Sequence, residues 1–418
     1  MKVIGLIAEY NPFHLGHKYH LKKSKQITNA NYSIAVMSGS FVQRGEPSFI
    51  DKWTKAKMAI DNGIDLVIEL PFIFSIQSAE LFALGGVKLL DNLNIVDYMT
   101  FGSEIDSLND LKNIAKILVQ EPNFFKQSLK RYLNEGFSFP VARSHALKDV
   151  FRNCRHKIKN PDNIEEILKM PNNILAIEYL KALITLNSPI KPIAIKRIGS
   201  GYSDKSLTNR IASATGIRNS ILKNGIAAVK KYVPISTYRH LTNYIEKYGQ
   251  FNTLNNYSQI VHYLININGK HGLIDIMDME PGLENRFIKK STIYKDIDHL
   301  IQSISSKRYP KTRIQRILIH LMANLTERSF SQLSAHHPSY IRVLGANKKG
   351  FLLLNEIKKN SKIPIITKFA DYRHHNDAYL SKIITMDKIS TDLYFIGLNT
   401  RKPFMDRDYY TTPYMITD

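Results

Sequence analysis

Two histidines stand three positions apart, directly after a predicted buried strand. The strand is Val3–Ala8, and the segment that follows it reads E-Y-N-P-F-H-L-G-H, with His14 and His17 in its last four positions. Asn11-Pro12 predicts a turn before a helix opens, and residues three apart in a first helical turn share one face. Both imidazoles would then project near the positive end of the helix dipole, beside free backbone N–H groups. This pattern predicts a phosphate-binding site.

The H-x-G-H pattern has two other interpretations. The histidines could cap the helix, or they could bind a metal ion as an H-x-x-H pair. A metal site is disfavoured, because neither cysteines nor carboxylates cluster around the pair. The position of the pattern, after the first strand of an alternating strand and helix pattern, favours phosphate. Gly16 lies between the histidines and would let a base or a phosphate approach the backbone closely.

Further polar residues follow other predicted strands. A strand over residues 32–37 precedes the loop S-G-S-F-V-Q-R-G-E-P, in which Arg44 is a candidate contact for a carboxylate or phosphate, with a surface ion pair as the alternative. Gly102 follows a strand over residues 98–101, where a side chain would obstruct a bound base, although a plain turn would also suit glycine. The pair Asn172-Asn173 opens a helix; capping explains one asparagine, and the other could face a ligand.

Residues near position 200 add cations and hydroxyl groups. Arg197 ends a predicted strand over residues 192–197, at the edge where open parallel sheets bind ligands. The segment I-A-S-A-T-G-I-R then opens a helix that carries Ser213, Thr215 and Arg218. Hydroxyl groups, a helix N-terminus and an arginine together suit a triphosphate, whereas a capping box alone would need no arginine.

The order of these patterns predicts an α/β fold. Strands and helices alternate as far as residue 240, which favours a doubly wound, Rossmann-like parallel sheet in a first domain over residues 1–240. Residues 107–168 are helical and basic, and they interrupt the alternation as an insertion. A polar, Asn-rich stretch over residues 249–258 has the composition of a linker. Residues 250–418 form a mainly helical, basic second domain, although the pattern of the last eighty residues shows no clear order.

The charge balance favours a nucleic-acid partner. The chain has 58 lysines and arginines against 36 acidic residues, a formal net charge of +22, and the basic residues recur in clusters. The alternative is a lysine-rich solvated surface without a polyanionic partner. Several aromatic residues near the clusters could stack on unpaired bases, although core packing is the commoner fate of such residues: Phe124, Phe125, Tyr132, Tyr309 and Tyr340.

Cysteine content and hydropathy predict the cellular setting. The single cysteine, Cys154, excludes a disulfide framework within the chain and suits a reducing cytosol. The chain opens on a strand pattern rather than on a signal peptide, and no segment reaches the length of a membrane span. We therefore expect a cytoplasmic protein that does not enter a membrane; the sequence leaves the oligomeric state open.

Three motifs together resemble the HIGH-type nucleotidyltransferase superfamily. They are the H-L-G-H turn, Arg197 after the fifth predicted strand, and the S-A-T-G-I-R segment. Within that superfamily, the stretches E-Y-N-P-F-H, M-S-G-S-F-V-Q-R-G-E-P and P-N-N-I-L closely resemble the bacterial tRNA(Met) cytidine acetate ligases. The resemblance covers the first half of the chain well, and its main match in the C-terminal third is Y-I-R-V-L-G over residues 340–345. It implies a nucleotidyltransferase domain over residues 1–240 and tRNA contact by residues 250–418.

The resemblance implies a two-step reaction. ATP, the cosubstrate, and acetate form acetyl adenylate, whose acetyl group is transferred to N4 of the wobble cytidine of elongator tRNA(Met). Attack of the carboxylate on the α-phosphate builds negative charge, which His14, His17, Arg197 and Arg218 would stabilise as the catalytic residues. Mg²⁺ would accompany the ATP, and the resemblance implies no metal site on the protein.

The family pattern also implies the binding residues. Two alanines, Ala212 and Ala214, flank Ser213 where the family has a second serine, so Ser213 and Thr215 must supply the hydroxyl groups. The implied ATP-binding residues are Ile7, Ala8, Glu9, Tyr10, Asn11, Pro12, Phe13, His14, Leu15, Gly16, His17, Lys18, Tyr19, His20, Gly102, Asn172 or Asn173, Arg197, Ile198, Ser213 and Thr215. The candidate substrate contacts are Ser40, Gln43 and Arg44.

Two other functions remain open on the sequence alone. One is a small-molecule adenylyltransferase or acid–amine ligase of the same superfamily, although such enzymes are usually shorter and less basic. The other is an RNA-binding module with a degenerate nucleotide-binding fold, which the intact histidines and arginines disfavour. A K-M-S-K-S-like loop is missing from the sequence, which counts against an aminoacyl-tRNA synthetase.

Overall fold

The fold of the computed structural model centres on one mainly parallel sheet. The structure describes residues 1–153, 161–197, 212–335, 338–398 and 405–417. The sheet runs in the order β10-β8-β5-β2-β1-β6-β7, with β9 also paired to β8. Its strands and a separate hairpin, β3-β4, are β1 (Val3–Ala8), β2 (Tyr32–Ser38), β3 (Phe41–Val42), β4 (Glu46–Pro47), β5 (Leu66–Leu70), β6 (Tyr98–Ser103), β7 (Lys191–Lys196), β8 (Ile341–Ala346), β9 (Ile365–Ile366) and β10 (Tyr414–Met415).

Helices connect and cover these strands. The α-helices of the described residues are α1 (Leu15–Thr28), α2 (Lys52–Asp61), α3 (Phe72–Ser75), α4 (Ala79–Asn92), α5 (Leu108–Gln120), α6 (Asn123–Asn134), α7 (Phe139–Asn153), α8 (Ile164–Lys169), α9 (Pro171–Thr185), α10 (Ala214–Asn224), α11 (Ile235–Tyr248), α12 (Ser258–Ile274), α13 (Leu283–Ser291), α14 (Ile297–Ile304), α15 (Lys311–Met322), α16 (Glu327–Ser334), α17 (Lys348–Asn360), α18 (Ala378–Ile396) and α19 (Arg407–Tyr410). Short 3₁₀ turns cover Pro161–Asn163, Ile226–Val229, Leu254–Tyr257 and Phe369–His375. Within the described ranges, no helix is long and apolar enough to cross a membrane.

The order of the parallel strands places a crevice between β1 and β6. The chain passes from β1 outward to β2 and β5, and then returns to the other side of β1 to form β6 and β7, all parallel. Such a reversal is the topological switch point of a doubly wound sheet, where ligands bind beyond the carboxyl ends of the strands. The predicted doubly wound fold is therefore confirmed.

The C-terminal part of the chain adds strands that the sequence did not predict. The motif Y-I-R-V-L-G forms β8, which lies antiparallel to β5, so the sheet is mixed rather than wholly parallel. The stretch with linker composition is packed instead of free: the Asn252 side chain is buried and donates to the Tyr394 carbonyl at 2.8 Å. The division of the chain into two domains stays a prediction.

A cluster of buried charges joins the C-terminal part to the sheet. Lys52 Nζ lies 3.0 Å from Glu69 Oε1 and 2.8 Å from Asp408 Oδ1, and Arg342 Nη2 lies 3.6 Å from the same Asp408 oxygen. Burial opposes the charge on Lys52, but Asp408 and Glu69 outweigh it and raise the pKa of this lysine. Removing one partner of a buried pair typically costs about 3–5 kcal/mol. The short helix α19 is thereby bound to the strands β5 and β8.

The β3-β4 hairpin approaches helix α15 very closely at Gly45. A Cβ atom at this position would lie 2.3 Å from the backbone nitrogen of Arg316 and 2.5 Å from the carbonyl carbon of Gln315. Gly45 also has a φ of +76°, a conformation that favours glycine. The close approach fixes the hairpin, and with it Arg44 and Glu46, against the C-terminal part of the chain.

We expect Gly45→Ala to lower the melting temperature much more than Gly249→Ala. Gly249 has a nearly equal φ of +72°, but a Cβ there would meet nothing within 4 Å. Both variants carry the cost of a positive φ, about 1 kcal/mol or more, and only Gly45→Ala adds the clash with α15. Thermal unfolding followed by circular dichroism measures the difference, and equal losses would show that the approach to α15 is not tight.

Candidate active site

A cleft lies at the switch point, beyond the carboxyl ends of β1 and β6. Most of the residues that the sequence singled out line it together, although they come from six separate segments of the chain. They are Ile7, Ala8, Glu9, Tyr10, Asn11, His14, Gly16, His17, Tyr19, His20, Gln43, Arg44, Gly102, Asn172, Arg197, Ser213, Thr215 and Arg218.

Some of the predicted residues do not reach the cleft. Pro12, Leu15 and Lys18 belong to the same turn and helix but do not line it, and Phe13 is buried against Tyr10 and His17. Ser40 is also buried, with its hydroxyl 3.4 Å from that of Thr391. Asn173 is enclosed behind the wall of the cleft. Ile198 lies outside the described residues.

The two histidines form a reciprocal cap at the start of α1. His14 is the N-cap, and its Nδ1 accepts the backbone N–H of Gly16 at 3.0 Å. His17 Nδ1 in turn accepts the backbone N–H of His14 at 3.3 Å. A neutral imidazole that accepts through Nδ1 must carry its proton on Nε2. Each ring therefore retains an Nε2–H donor for a ligand, and the two rings are stacked with centroids 3.8 Å apart.

The surroundings keep the cleft histidines uncharged. Burial, and then the positive charges of Arg197 and Arg218, lower the pKa of His14 to about 3. Burial and the neighbouring His14 hold the pKa of His17 well below its usual value, and burial and Arg197 lower that of His20 to about 4. Near neutral pH the histidines act as neutral hydrogen-bond donors.

The prediction of free backbone N–H groups at the start of α1 is wrong. The N–H of Leu15 donates to the Tyr232 carbonyl at 3.2 Å, and the N–H of Gly16 donates to His14. The capping interpretation is therefore confirmed at the Nδ1 atoms, while the Nε2–H groups remain for a ligand and the phosphate interpretation stays a prediction. Tyr10 and Phe13 pack on His17, with centroids 5.0 and 5.4 Å away, and fix its ring.

The structure separates the two asparagines at the start of α9. Asn172 lines the cleft, and its Oδ1 lies 3.4 Å from Nη1 of Arg197. Asn173 is fully buried, and its Oδ1 accepts the Ser103 hydroxyl and the Glu104 N–H, each at 2.9 Å. The Glu104 carboxylate caps α9, because it accepts the backbone N–H groups of both asparagines. Asn172 thus faces the cleft, and Asn173 fastens α9 to the end of β6.

Gly102 gives Arg197 its place on the cleft wall. It is the penultimate residue of β6, and Arg197 directly follows the neighbouring strand β7. A Cβ at position 102 would lie 3.3 Å from Cγ and 3.5 Å from Cδ of Arg197, closer than most such contacts. The missing side chain therefore lets the arginine lie across the strand end, beside the crevice.

Arg218 is held by two residues of the N-terminal part of the chain, one of which is also bound by α15. Its Nη1 donates to the Asn11 carbonyl at 3.0 Å, and its Nη2 lies 3.1 Å from Oε2 of Glu46 on the β3-β4 hairpin. The Gln315 side chain on α15 donates to the other Glu46 oxygen at 3.3 Å. At the start of the helix that carries Arg218, the Ser213 hydroxyl accepts the Gly216 N–H at 3.0 Å, as an N-cap. The guanidinium is thus fixed beside the loop that carries the histidines.

The sequence did not single out every residue of the cleft. Most of the additional lining residues are apolar and come from the sheet, α4 and α9, and they give the cleft an apolar wall. In the sequence, these residues belong to hydrophobic segments typical of buried strands and helices. Such a pattern does not distinguish a residue that lines a cleft from one that packs in the core. They are Leu6, Val42, Glu46, Phe82, Thr100, Phe101, Leu175, Tyr179, Ile195, Lys196, Ala212 and Ala214.

Among the described residues, no group of three or more His, Cys, Asp and Glu side chains is placed to hold a metal ion. The H-x-x-H interpretation also conflicts with the hydrogen bonds at His14 and His17, because both Nδ1 atoms already accept backbone N–H groups. A cation that enters with a nucleotide would take most of its ligands from phosphate oxygens and water.

Comparison with known proteins identifies the family. The model of the HIGH Nucleotidyl Transferase family matches residues 1–407. A tRNA(Met) cytidine acetate ligase from Thermoanaerobacter pseudethanolicus is 45% identical over 397 residues, covering 95% of this chain and 96% of that protein. One from Clostridium perfringens is 41% identical over 415 residues, covering 99% of each. The crystal structure of Thermotoga maritima TmcAL bound with alpha-thio ATP matches with a TM-score of 0.91 at 30% identity, over 100% of both chains.

The chain belongs to the HIGH nucleotidyl transferase family and, within it, to the tRNA(Met) cytidine acetate ligases.

We expect the ring signals of His14 and His17 to show no titration between pH 5.5 and 8 in the free protein. A histidine with a lowered pKa stays neutral until the pH falls below that value, so both rings remain neutral across this window. NMR spectra of protein with labelled histidine rings measure this, with signals assigned by single substitutions. The exposed His299 supplies the comparison on the same sample. A midpoint near 6.5 for either cleft histidine would contradict the assignment of neutral Nε2–H donors.

Proposed function

We propose that this protein activates acetate with ATP as acetyl adenylate and transfers the acetyl group to N4 of the wobble cytidine of elongator tRNA(Met). The observation that carries the proposal is the arrangement of the cleft: two neutral Nε2–H donors and two arginines surround one crevice at the switch point of the sheet. The match to the crystal structure of a relative bound with an ATP analogue supports a nucleotide there.

The first step needs stabilisation of charge rather than proton transfer. An acetate oxygen attacks the α-phosphorus, the bond from that phosphorus to the bridging oxygen breaks, and pyrophosphate leaves with the electron pair. Negative charge builds on the α-phosphate oxygens, where preorganised donors lower the barrier. His14, His17, Arg197 and Arg218 are the donors that we assign to this role. Their positions are fixed before the reaction by the caps and ion pairs of the cleft.

The remaining lining residues suit the rest of the ATP molecule. Apolar side chains such as Leu6, Phe82 and Phe101 offer a surface to the adenine, beside Gly102, where no side chain intervenes. Asn172 and Ser213 lie on the wall with Arg197 and Arg218, within reach of the ribose and phosphates. Mg²⁺ would be bound mainly by the phosphates, which it bridges in such reactions.

We assign the acetate to the end of the cleft at the β3-β4 hairpin. Arg44 lines the cleft there and supplies a cation for a carboxylate. Gln43 acts indirectly, because its N–H donates to Glu9 at 3.0 Å and its side chain donates to the Gln77 carbonyl at 2.9 Å. These bonds hold the hairpin at the cleft.

The second step uses an activated acyl group and therefore needs little acid–base machinery. The N4 amine attacks the acetyl carbonyl, AMP leaves, and the nitrogen loses a proton to water or to the departing phosphate. The protein has to hold the amine in line with the carbonyl and keep water away from the mixed anhydride. We expect the protein to act in the cytoplasm, where tRNA and ATP are available.

The experiment that tests this function follows radiolabelled acetate into RNA. The protein is incubated with ATP, Mg²⁺ and bacterial tRNA, and the RNA is digested to nucleosides. ATP-dependent label in N4-acetylcytidine would support the proposal. Acid-dependent release of pyrophosphate without label in RNA would instead favour a small-molecule ligase, and absence of both would favour an RNA-binding module.

In this assay, we expect His17→Ala to reduce acetyl adenylate formation by about 10²–10³-fold, the usual effect of removing one charge-stabilising donor. Its affinity for tRNA should stay close to that of the wild type, because His17 lies inside the cleft. Acetate-dependent exchange of pyrophosphate into ATP measures the first step, and filter binding measures the tRNA affinity. His299→Ala, on the distant helix α14, is the matched control. An equal loss of adenylate formation and of tRNA affinity in His17→Ala would contradict this division of roles.

We expect the neighbouring asparagines to respond differently to alanine. Asn172→Ala should weaken ATP binding with little change in melting temperature, because its side chain lines the cleft. Asn173→Ala should lower the stability by about 1–3 kcal/mol, because it leaves the buried Ser103 and Glu104 donors without an acceptor. Calorimetric titration with ATP and thermal unfolding distinguish the two effects. The reverse pattern would mean that Asn173 is the ligand contact.

A further inference from the structure

The tip of the α6-α7 hairpin exposes an unusual amount of aromatic surface. All eight residues from 133 to 140 are exposed, and three of them are large and apolar. Leu133, Phe137 and Phe139 are 39%, 42% and 55% exposed, and Phe124 on the same hairpin is 40% exposed. Single exposed apolar residues are common on soluble proteins, but a contiguous group at the end of a hairpin marks an interaction site.

The tip is a supported structure and not a frayed end. Below it, the ring of Tyr132 lies 6.0 Å from Phe137 and 5.0 Å from His145, measured between centroids. The side chains of Arg131 and Tyr132 on α6 both contact the Asp149 carboxylate on α7, at 2.7 and 3.0 Å. These bonds join the two helices, so the exposed phenylalanines are presented from a fixed base.

Positive charge surrounds these aromatic rings. The guanidinium of Arg143 lies 5.9 Å from the Phe139 centroid, and its buried Nε has no hydrogen-bond partner in the described part of the chain. Lys130 is exposed and makes no ion pair with a described residue. Over residues 123–153, the basic residues outnumber the acidic ones by six to two: Lys126, Lys130, Arg131, Arg143, Lys148 and Arg152 against Glu135 and Asp149. This charge fits a polyanion.

The hairpin belongs to a segment that starts and ends at the cleft. The chain leaves the sheet after Ser103, forms the helices of the insertion, and returns at Asn172 on the cleft wall. Ser103 and Glu104 at one root are hydrogen-bonded to Asn172 and Asn173 at the other. Each arm of the hairpin is a helix of 12 to 15 residues, which spans about 18–22 Å, a length comparable with that of an RNA stem-loop.

We propose that the tip of the α6-α7 hairpin binds the single-stranded loop of the RNA substrate, with Phe137 and Phe139 stacked on unpaired bases and Lys130 and Arg143 on phosphates. Single-stranded RNA is recognised by aromatic side chains and arginine planes, whereas a duplex hides its base faces. The proposal rests on the proposed function, which supplies the RNA. A protein partner or a second copy of the chain is disfavoured, because Arg143 lies against Phe139 and, like Lys130, makes no ion pair with a described residue, whereas the other four basic residues of the hairpin are ion-paired.

This surface corrects the list of base-stacking candidates that the sequence suggested. Phe125, Tyr309 and Tyr340 are buried, and Tyr132 serves as the support of the tip. Phe124 remains on the exposed surface of the hairpin. Phe137 and Phe139 were not among the sequence candidates; Phe137 lies in the connection before α7 and Phe139 begins that helix, and both rings are exposed there.

The test measures RNA binding by the full chain with both phenylalanines replaced. The probes are an RNA stem-loop with unpaired cytidine in its loop and an RNA duplex of equal length, compared by fluorescence anisotropy at one salt concentration. Phe137→Ala with Phe139→Ala should weaken stem-loop binding roughly tenfold or more, and should affect duplex binding much less. Phe137→Tyr with Phe139→Tyr should retain the affinity, because tyrosine preserves the stacking surface. Tyr263→Ala, an exposed aromatic on α12, is the control.

Further readouts separate the possible outcomes. The double alanine variant should keep its melting temperature and its acetate-dependent pyrophosphate exchange, since the rings are exposed and lie outside the cleft lining. Unchanged stem-loop affinity and an unchanged KM for tRNA in acetyl transfer would overturn the inference while leaving the proposed function intact. If the double alanine variant selectively loses stem-loop binding, but the wild type makes no N4-acetylcytidine, the proposed function alone would be overturned. A wild-type dimer that the double variant disrupts, with RNA affinity unchanged, would assign the tip to a second copy of the chain.

Discussion

The reciprocal cap of His14 and His17 determines the chemistry of the cleft. Because each Nδ1 accepts a backbone N–H group, each neutral ring carries its proton on Nε2. The backbone conformation therefore selects the tautomer of both histidines. Burial, and then the neighbouring positive charges, lower the pKa of both rings and so keep them from acquiring a second proton. The positive charge of the cleft is therefore carried by its arginines and Lys196, and the neutral histidines add directed donors that do not repel those cations.

The fixed arginines depend on contacts that span the whole chain. Arg218 forms an ion pair with Glu46, and the Glu46 carboxylate accepts a hydrogen bond from Gln315 on α15. The hairpin that carries Glu46 packs directly against α15 at Gly45. The strand β8 and helix α19 are bound to β5 through the buried cluster around Lys52. The C-terminal part of the chain thus helps to shape the cleft. Its loss would remove the α15 contacts that hold the β3-β4 hairpin, and with it Glu46, the ion-pair partner of Arg218.

Local patterns predicted the strands and turns that build the cleft, but not the contacts that assign roles within it. The doubly wound sheet and the H-L-G-H turn followed from hydrophobic runs and turn residues near each other in sequence. The choice between Asn172 and Asn173 depended on Glu104, a long-range partner that no periodicity reveals. Likewise β8 resembles any buried strand, so only pairing with β5 could show that it joins the sheet antiparallel.

The root of the insertion connects the two substrates physically. Glu104 caps α9 with one carboxylate, so the helix terminus that places Asn172 on the cleft wall is fastened to the segment that carries the α6-α7 hairpin. The N–H groups of Asn172 and Asn173 at the start of α9 are occupied by Glu104 and cannot bind phosphate. The terminus therefore contributes by positioning the Asn172 side chain. An RNA loop bound at the hairpin would consequently be positioned relative to the same cleft wall that we assign to ATP. If the hairpin holds the RNA loop as proposed, this shared root would set the distance between the amine and the adenylate without a contact between the two sites.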